Sequence, residues 1–239
     1  MQLNPKASQR GIGLVELMVG ITVGLIVAAG ASMVAVRQIT EHRRLMLEIQ
    51  IQQDLRVAAD LLQQDLRRAG FRGLPANGVW QPARGTGTSS ATAAQSALTS
   101  PYTPITQTET GGSDIFYQYA RAPAGAMDPN GTNILEDYEQ FGFRLSSNKS
   151  LEIQLGLDNW QPITDPESVL IEDFKAEIHT QQIPLDDLCD CAPGTCPTQT
   201  VRLVQFTLTG VAKSDSNVRR TVSVSEKIRA DDVSGACPS

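Results

Sequence analysis

A single carboxylate, Glu16, stands inside "RGIGLVELMVG" (residues 10–20), where an apolar run begins that ends only at Val36. From Leu17 to Val36 there are twenty residues without a charge. A carboxylate at the centre of a bilayer costs about 3 kcal/mol on insertion scales, so Glu16 asks for a partner or for the headgroups. A second group is Cys189, Cys191, Cys196 and Cys237, the first three in the acidic stretch "LDDLCDCAPGTC" with Asp186, Asp187 and Asp190. The histidines are His42 and His179, neither with a recognisable nucleophile nearby in sequence. There is no Gly-rich phosphate loop and no G-x-S-x-G. The expectation is no enzyme, no catalytic residues and no cofactor; an anchored enzyme or binding domain would need a pocket with convergent polar groups.

The elements that hold these residues follow from spacing. Twenty apolar residues span a bilayer core at about 1.5 Å rise per residue. A cleaved secretory signal has a shorter apolar region of about 7–15 residues, and a buried soluble helix is the other reading. Beyond Val36, "RQITEHRRLMLEIQ" continues as helix. Leu47, Ile51, Leu55, Ala58, Leu62, Leu66 and Ala69 recur at spacings of three and four, an amphipathic pattern that buries one face. Arg43, Glu48, Asp54, Asp60 and Arg67 fall on the other face. Gly70 suits a C-cap and Pro75 stops continuation, so the helix is predicted from about residue 12 to 69. A coiled coil is the competing reading of its second half, but the apolar repeat is short and a single sheet could cover it.

Residues 81–113 carry few apolar residues and no period, the pattern of a long surface loop. A partner-contacting or glycosylated loop is the alternative. Short strands follow. "FGFRLS" and "LEIQLGL" alternate around "SNKS", and "VRLVQFTLTGV" and "RTVSVSEKIR" flank "KSDSN", so two hairpins are predicted. "PESVLIEDFKAEI" reads as a turn and a strand, or as a short helix. One long helix followed by runs of strands means α+β, with an antiparallel sheet packed on the helix.

The opening also has an order. A polar leader with Lys6 and Arg10 ends in Gly11, Ile12 follows, Glu16 is the fifth residue after Gly11, and the apolar helix then begins. This resembles the class III signal of type IV prepilins and type II secretion pseudopilins. The resemblance implies cleavage by a prepilin peptidase between Gly11 and Ile12, N-methylation of Ile12, and a cytoplasmic N-terminus. Ile12 departs from the commoner Phe or Met. Charge alone leaves orientation nearly tied, with Lys6 and Arg10 before the span and Arg37, Arg43 and Arg44 after it. Cleavage would give Glu16 its partner: the new amine of a neighbouring subunit. Such a pair attracts by roughly 4 kcal/mol at about 4 Å and an effective dielectric near 20, before desolvation. Snorkelling to headgroups is the other reading for the unassembled chain. Gly20, Gly24, Ala28 and Ser32, each four apart, form a small-residue stripe suited to close helix packing.

"DLRRAGFRG" (residues 65–73) and the strand order after it resemble PilW-type minor pilins. That implies residues 1–11 as leader, 12–36 as transmembrane and assembly helix, 37–70 as spine, and 71–239 as a periplasmic β-rich head. It also implies other minor pilins, the major pilin, the prepilin peptidase and the inner-membrane assembly platform as partners, and a role in pilus initiation, adhesion or twitching. A J-like minor pseudopilin of type II secretion shares the same N-terminal chemistry. A periplasmic head lies in an oxidising compartment, where four cysteines make two disulfides by default. A Cys189–Cys191 bridge would close a very tight ring. That leaves Cys189 or Cys191 joined to Cys237 and the other joined to Cys196. A four-thiolate zinc site is the alternative, although C-x-C-x4-C is not the usual spacing. "DPNGTNILE" (Asp128 to Glu136) fails the EF-hand pattern and reads as a turn, so no metal is expected. A net charge of −6 with no basic cluster argues against nucleic-acid binding.

Overall fold

The computed structural model describes residues 13–80, 97–122, 133–188, 190–192 and 194–237. The leader 1–11, Ile12, residues 81–96, Asp128–Gly131 and Cys189 lie outside the described residues. The chain forms two units, residues 1–47 and residues 48–239.

Helix α1 is Leu14–Leu66. Taken alone, the first unit contributes the apolar half of α1, and residues 14–46 are all exposed. The helix is long and apolar enough to cross a membrane. Among the described residues no other group lies within 4 Å of where a Cβ on Gly20 or Gly24 would stand, so this part of the small-residue stripe is open. The Ser32 hydroxyl donates to the Ala28 carbonyl oxygen at 2.8 Å, which satisfies a hydroxyl that lipid could not.

In the second unit α1 has a dry face. Ile51, Leu55, Ala58, Leu62 and Leu66 are at most 2% exposed, which confirms the three-and-four spacing as a core stripe. The α-helix ends three residues before the predicted Ala69, and a turn carries the chain to Gly70. That glycine has φ +79°, and its N–H donates to Gln118 O at 2.8 Å.

The strands make two four-stranded antiparallel sheets rather than the single sheet expected. The first contains β1 (Asp114–Gln118), β2 (Gln140–Leu145), β3 (Leu151–Leu155) and β4 (Trp160–Pro162) in that order. The second has the order β5 (Val169–Pro184), β6 (Thr198–Ala212), β7 (Asp215–Lys227), with β8 (Asp232–Ser234) also paired to β6. Both predicted hairpins are present, as β2–β3 and β6–β7. The ambiguous "PESVLIEDFKAEI" resolves as β5, so its helical alternative is overturned. A register shift between Ile171 and Asp173 explains why no clean period was visible. The bulge moves the inward phase by one residue, so Val169 and Ile171 before it and Phe174 and Ala176 after it are all buried.

The tail of the predicted surface loop is anchored instead of free. Thr106 bridges Phe116, Tyr102 is fully buried, and Gln107 Nε2 donates to Ala176 O at 2.8 Å. One aromatic and a few polar groups seat this segment, too few to register as a period.

Where α1 meets β6, a glycine sets the spacing. A Cβ on Gly210 would stand 3.0 Å from Val169 Cγ1 and 3.1 Å from Leu55 Cδ2. Gly210→Val is therefore expected to lower stability by about 1–3 kcal/mol through overpacking, despite valine's better strand propensity. A thermal melt of the variant beside the parent checks it; an equal or higher midpoint would refute the close-approach account.

Candidate functional site

Glu16 occupies the first turn of α1, where an acid suits the positive end of the helix dipole. Among the described residues its side chain has no partner, and its neighbours Leu14, Val15, Leu17 and Met18 are 56–75% exposed. The cleavage and methylation positions, Gly11 and Ile12, lie outside the described residues. What the fold presents here is an unsheltered apolar helix carrying one acid near its start.

The cysteines are partly defined. Cys191 and Cys196 are joined, closing a loop of sequence separation 5. Cys237 is disulfide-bonded as well. The Cys191–Cys196 bridge belongs to one of the two expected pairings, and Cys189 lies outside the described residues. Asp186 and Asp187 are exposed, and among the described residues no group of three or more His, Cys, Asp or Glu converges on one point. His42 and His179 stand far apart in the chain, both exposed, on α1 and β5 respectively. His179 Nε2 is 3.8 Å from Glu177.

The acids and arginines of the spine engage the second sheet. Glu48 pairs with Arg220, and Arg67 Nε donates to Glu226 Oε1 at 2.9 Å. Two of the residues assigned to the polar face of the helix therefore clamp α1 to β7.

Two buried carboxylates escaped the sequence reading. Asp65 accepts from the Tyr117 hydroxyl, and from the Tyr119 hydroxyl at 3.0 Å. Burial, then the nearby Asp65, holds the Tyr117 phenol well above its ordinary value. The same causes push Tyr119 up to about 12. Glu139 is 0% exposed. It accepts from Tyr102 Oη at 2.9 Å and from the backbone N–H groups of Arg121 and Glu136 at 3.0 Å each. Burial, then Glu139, also raises the Tyr102 phenol. In "LQQDLRR" and "EDYEQ" these acids resemble solvated ones. Only the partner strands, distant in sequence, reveal them.

A cavity of about 770 Å³ opens beyond the end of α1 in the second unit. Arg67, Arg68, Arg72, Arg121 and Arg229 line it, together with Asp231 and Asp232. The clustering of arginine in "DLRRAGFRG" was its one trace in the sequence.

An exposed apolar helix with an acid in its first turn is the arrangement of pilin-like subunits, and the comparisons agree. Residues 6–32 match the prokaryotic N-terminal methylation motif. The chain carries a prepilin signal ahead of a pilin-like α+β fold, and the apolar helix is consistent with a membrane-anchored pilin. Residues 44–229 match the family described as prepilin peptidase-dependent protein B, and the chain belongs to that family. No curated protein and no solved structure matches it.

Proposed function

We propose that this chain is a minor pilin of a type IV pilus, of the PilW type, that helps to initiate pilus assembly. The supporting observation is the exposed apolar α1 with Glu16 in its first turn, directly behind a prepilin signal. On this reading a prepilin peptidase removes residues 1–11 on the cytoplasmic side and methylates Ile12. Residues 12–36 hold the subunit in the inner membrane, residues 37–70 form the spine, and residues 71–239 are the periplasmic head. In the filament, Glu16 pairs with the Ile12 amine of a neighbouring pilin and so favours one axial offset between packed helices. The open Gly20, Gly24, Ala28 and Ser32 stripe lets those helices approach closely. The partners are the other minor pilins, the major pilin and the assembly platform, and the role is structural.

The test is the intact mass of the membrane-extracted protein from cells with and without the peptidase. Loss of residues 1–11 plus gain of one methyl group is expected only with the peptidase, and Gly11→Ala should leave the chain full length. An unshortened wild-type chain would refute the proposal. Deletion then separates the pilus from type II secretion: loss of pili with normal exoprotein release supports the pilus, and the reverse supports a pseudopilin.

A further inference from the structure

We propose that the arginine-lined cavity at the end of α1 is a docking site for an acidic peptide segment with an apolar anchor, supplied by another protein. The protein carries a net charge of −6, yet this lining holds five arginines against two aspartates. Local charge of the opposite sign to the whole molecule selects an anionic partner and steers it in.

The arginines are not all committed to the fold. Arg67 is bound to Glu226, and Arg72 reaches Asp232 at 3.5 Å and Leu98 O at 2.9 Å. Arg68 lies over the Tyr119 ring. The Arg121 and Arg229 side chains are exposed, and neither has a hydrogen bond or ion pair among the described residues. Two free guanidiniums can each take a carboxylate in a two-pronged contact. Between them the surface is apolar. Phe71 is 39% exposed and Val79 48%, with Pro75 and Val233 in the same lining. Exposed aromatic and arginine side chains around a pocket are the composition of interface hot spots.

The chemistry favours a peptide over a phosphate or an anionic lipid headgroup. Asp231 and Asp232 repel a dense anion but tolerate spaced carboxylates. The exposed apolar side chains of Phe71 and Val79 in the lining offer a phosphate no contact, whereas a peptide can seat an apolar side chain on them. A peptide brings N–H donors together with its carboxylates.

The test uses the full chain in detergent and four fluorescent hexapeptides: Asp-Asp-Leu-Phe-Asp-Asp, its Asn analogue, its Lys analogue, and Asp-Asp-Gly-Ser-Asp-Asp. Anisotropy should show the first binding at least tenfold more tightly than each of the others, and losing at least threefold in affinity between 50 and 300 mM salt. The double variant Arg121→Glu/Arg229→Glu should abolish that preference with an unchanged thermal midpoint, since neither side chain supports the fold. Affinities within threefold across the four peptides, or equal binding by parent and variant, would overturn the proposal. Retention on phosphatidylglycerol vesicles without selective peptide binding would overturn it in favour of a lipid surface. None of these outcomes depends on cleavage at Gly11, so the test is independent of the pilin assignment.

Discussion

Glu139→Leu is expected to lower the thermal midpoint by about 6–12 °C. The side chain is fully buried and accepts three hydrogen bonds. Leucine matches its size but accepts nothing. Tyr102 keeps a second acceptor in Ile134 O at 3.2 Å. The half-buried N–H groups of Arg121 and Glu136 keep no such replacement at the site, and a donor left unmade where water is excluded costs about 1–3 kcal/mol. A total of about 3 kcal/mol or more converts to that shift for a chain of this size. Glu139→Gln should fall between the parent and the leucine variant. Its amide retains one oxygen, but its NH2 must face either the Arg121 N–H or the Tyr102–Glu136 pair. Calorimetry of the three proteins decides the matter. Equal midpoints for parent and Glu139→Leu would mean that solvent reaches those donors and that the cage contributes nothing.

The second large effect is alkaline. Three of the four tyrosines, Tyr102, Tyr117 and Tyr119, are held above the ordinary phenol value, each mainly by burial and then by a neighbouring carboxylate. The phenol is neutral when protonated, so a raised folded value stabilises the fold fully below the unfolded value of about 10. That contribution is lost as pH rises from about 10 through 12, because the unfolded chain releases protons that the folded chain retains. The slope approaches about 1.4 kcal/mol per pH unit for each tyrosine, or about 4 for the three. Against a domain stability of about 5–15 kcal/mol, one to two units above pH 10 remove enough to begin unfolding a domain in the lower half of that range. Tyrosinate absorbance and near-ultraviolet circular dichroism should therefore change together. Tyrosinate of these residues forming at pH 10 while the dichroism persists would refute it. Acid should give no mirror image of this effect, since these phenols stay protonated there.

Much of the architecture was legible because it rests on repetition. The stripe from Ile51 to Leu66 repeats at helical spacing and is buried as a line. The β2–β3 and β6–β7 hairpins alternate in sequence around polar turns, and they pair as written. What stayed hidden depends on single residues meeting across long separations. The β5 bulge breaks the period it would need to be seen by. Tyr102 looks like one aromatic in a polar loop until Glu139 closes over it. Asp65 follows the same logic, since its partners are 52 and 54 residues away. For the candidate site, the Gly11 and Glu16 spacing was readable because it is local chemistry on one helix. The arginine cavity was not, because Arg121 and Arg229 join Arg67, Arg68 and Arg72 only through tertiary contacts.

The hydrogen bonds around Tyr102 and Glu139 belong to a set of ties between stretches far apart in the chain. Leu98 N–H donates to Asn77 O at 2.8 Å, Asn133 Nδ2 to Thr99 O at 2.9 Å, and Tyr119 N–H to Glu139 O at 3.3 Å. Three ties therefore join residues 77 to 98, 99 to 133 and 119 to 139. Loop-closure entropy grows only slowly with length once the ends are fixed. Each tie closes one loop between segments distant in sequence, so losing a single tie frees a whole loop and not just one residue.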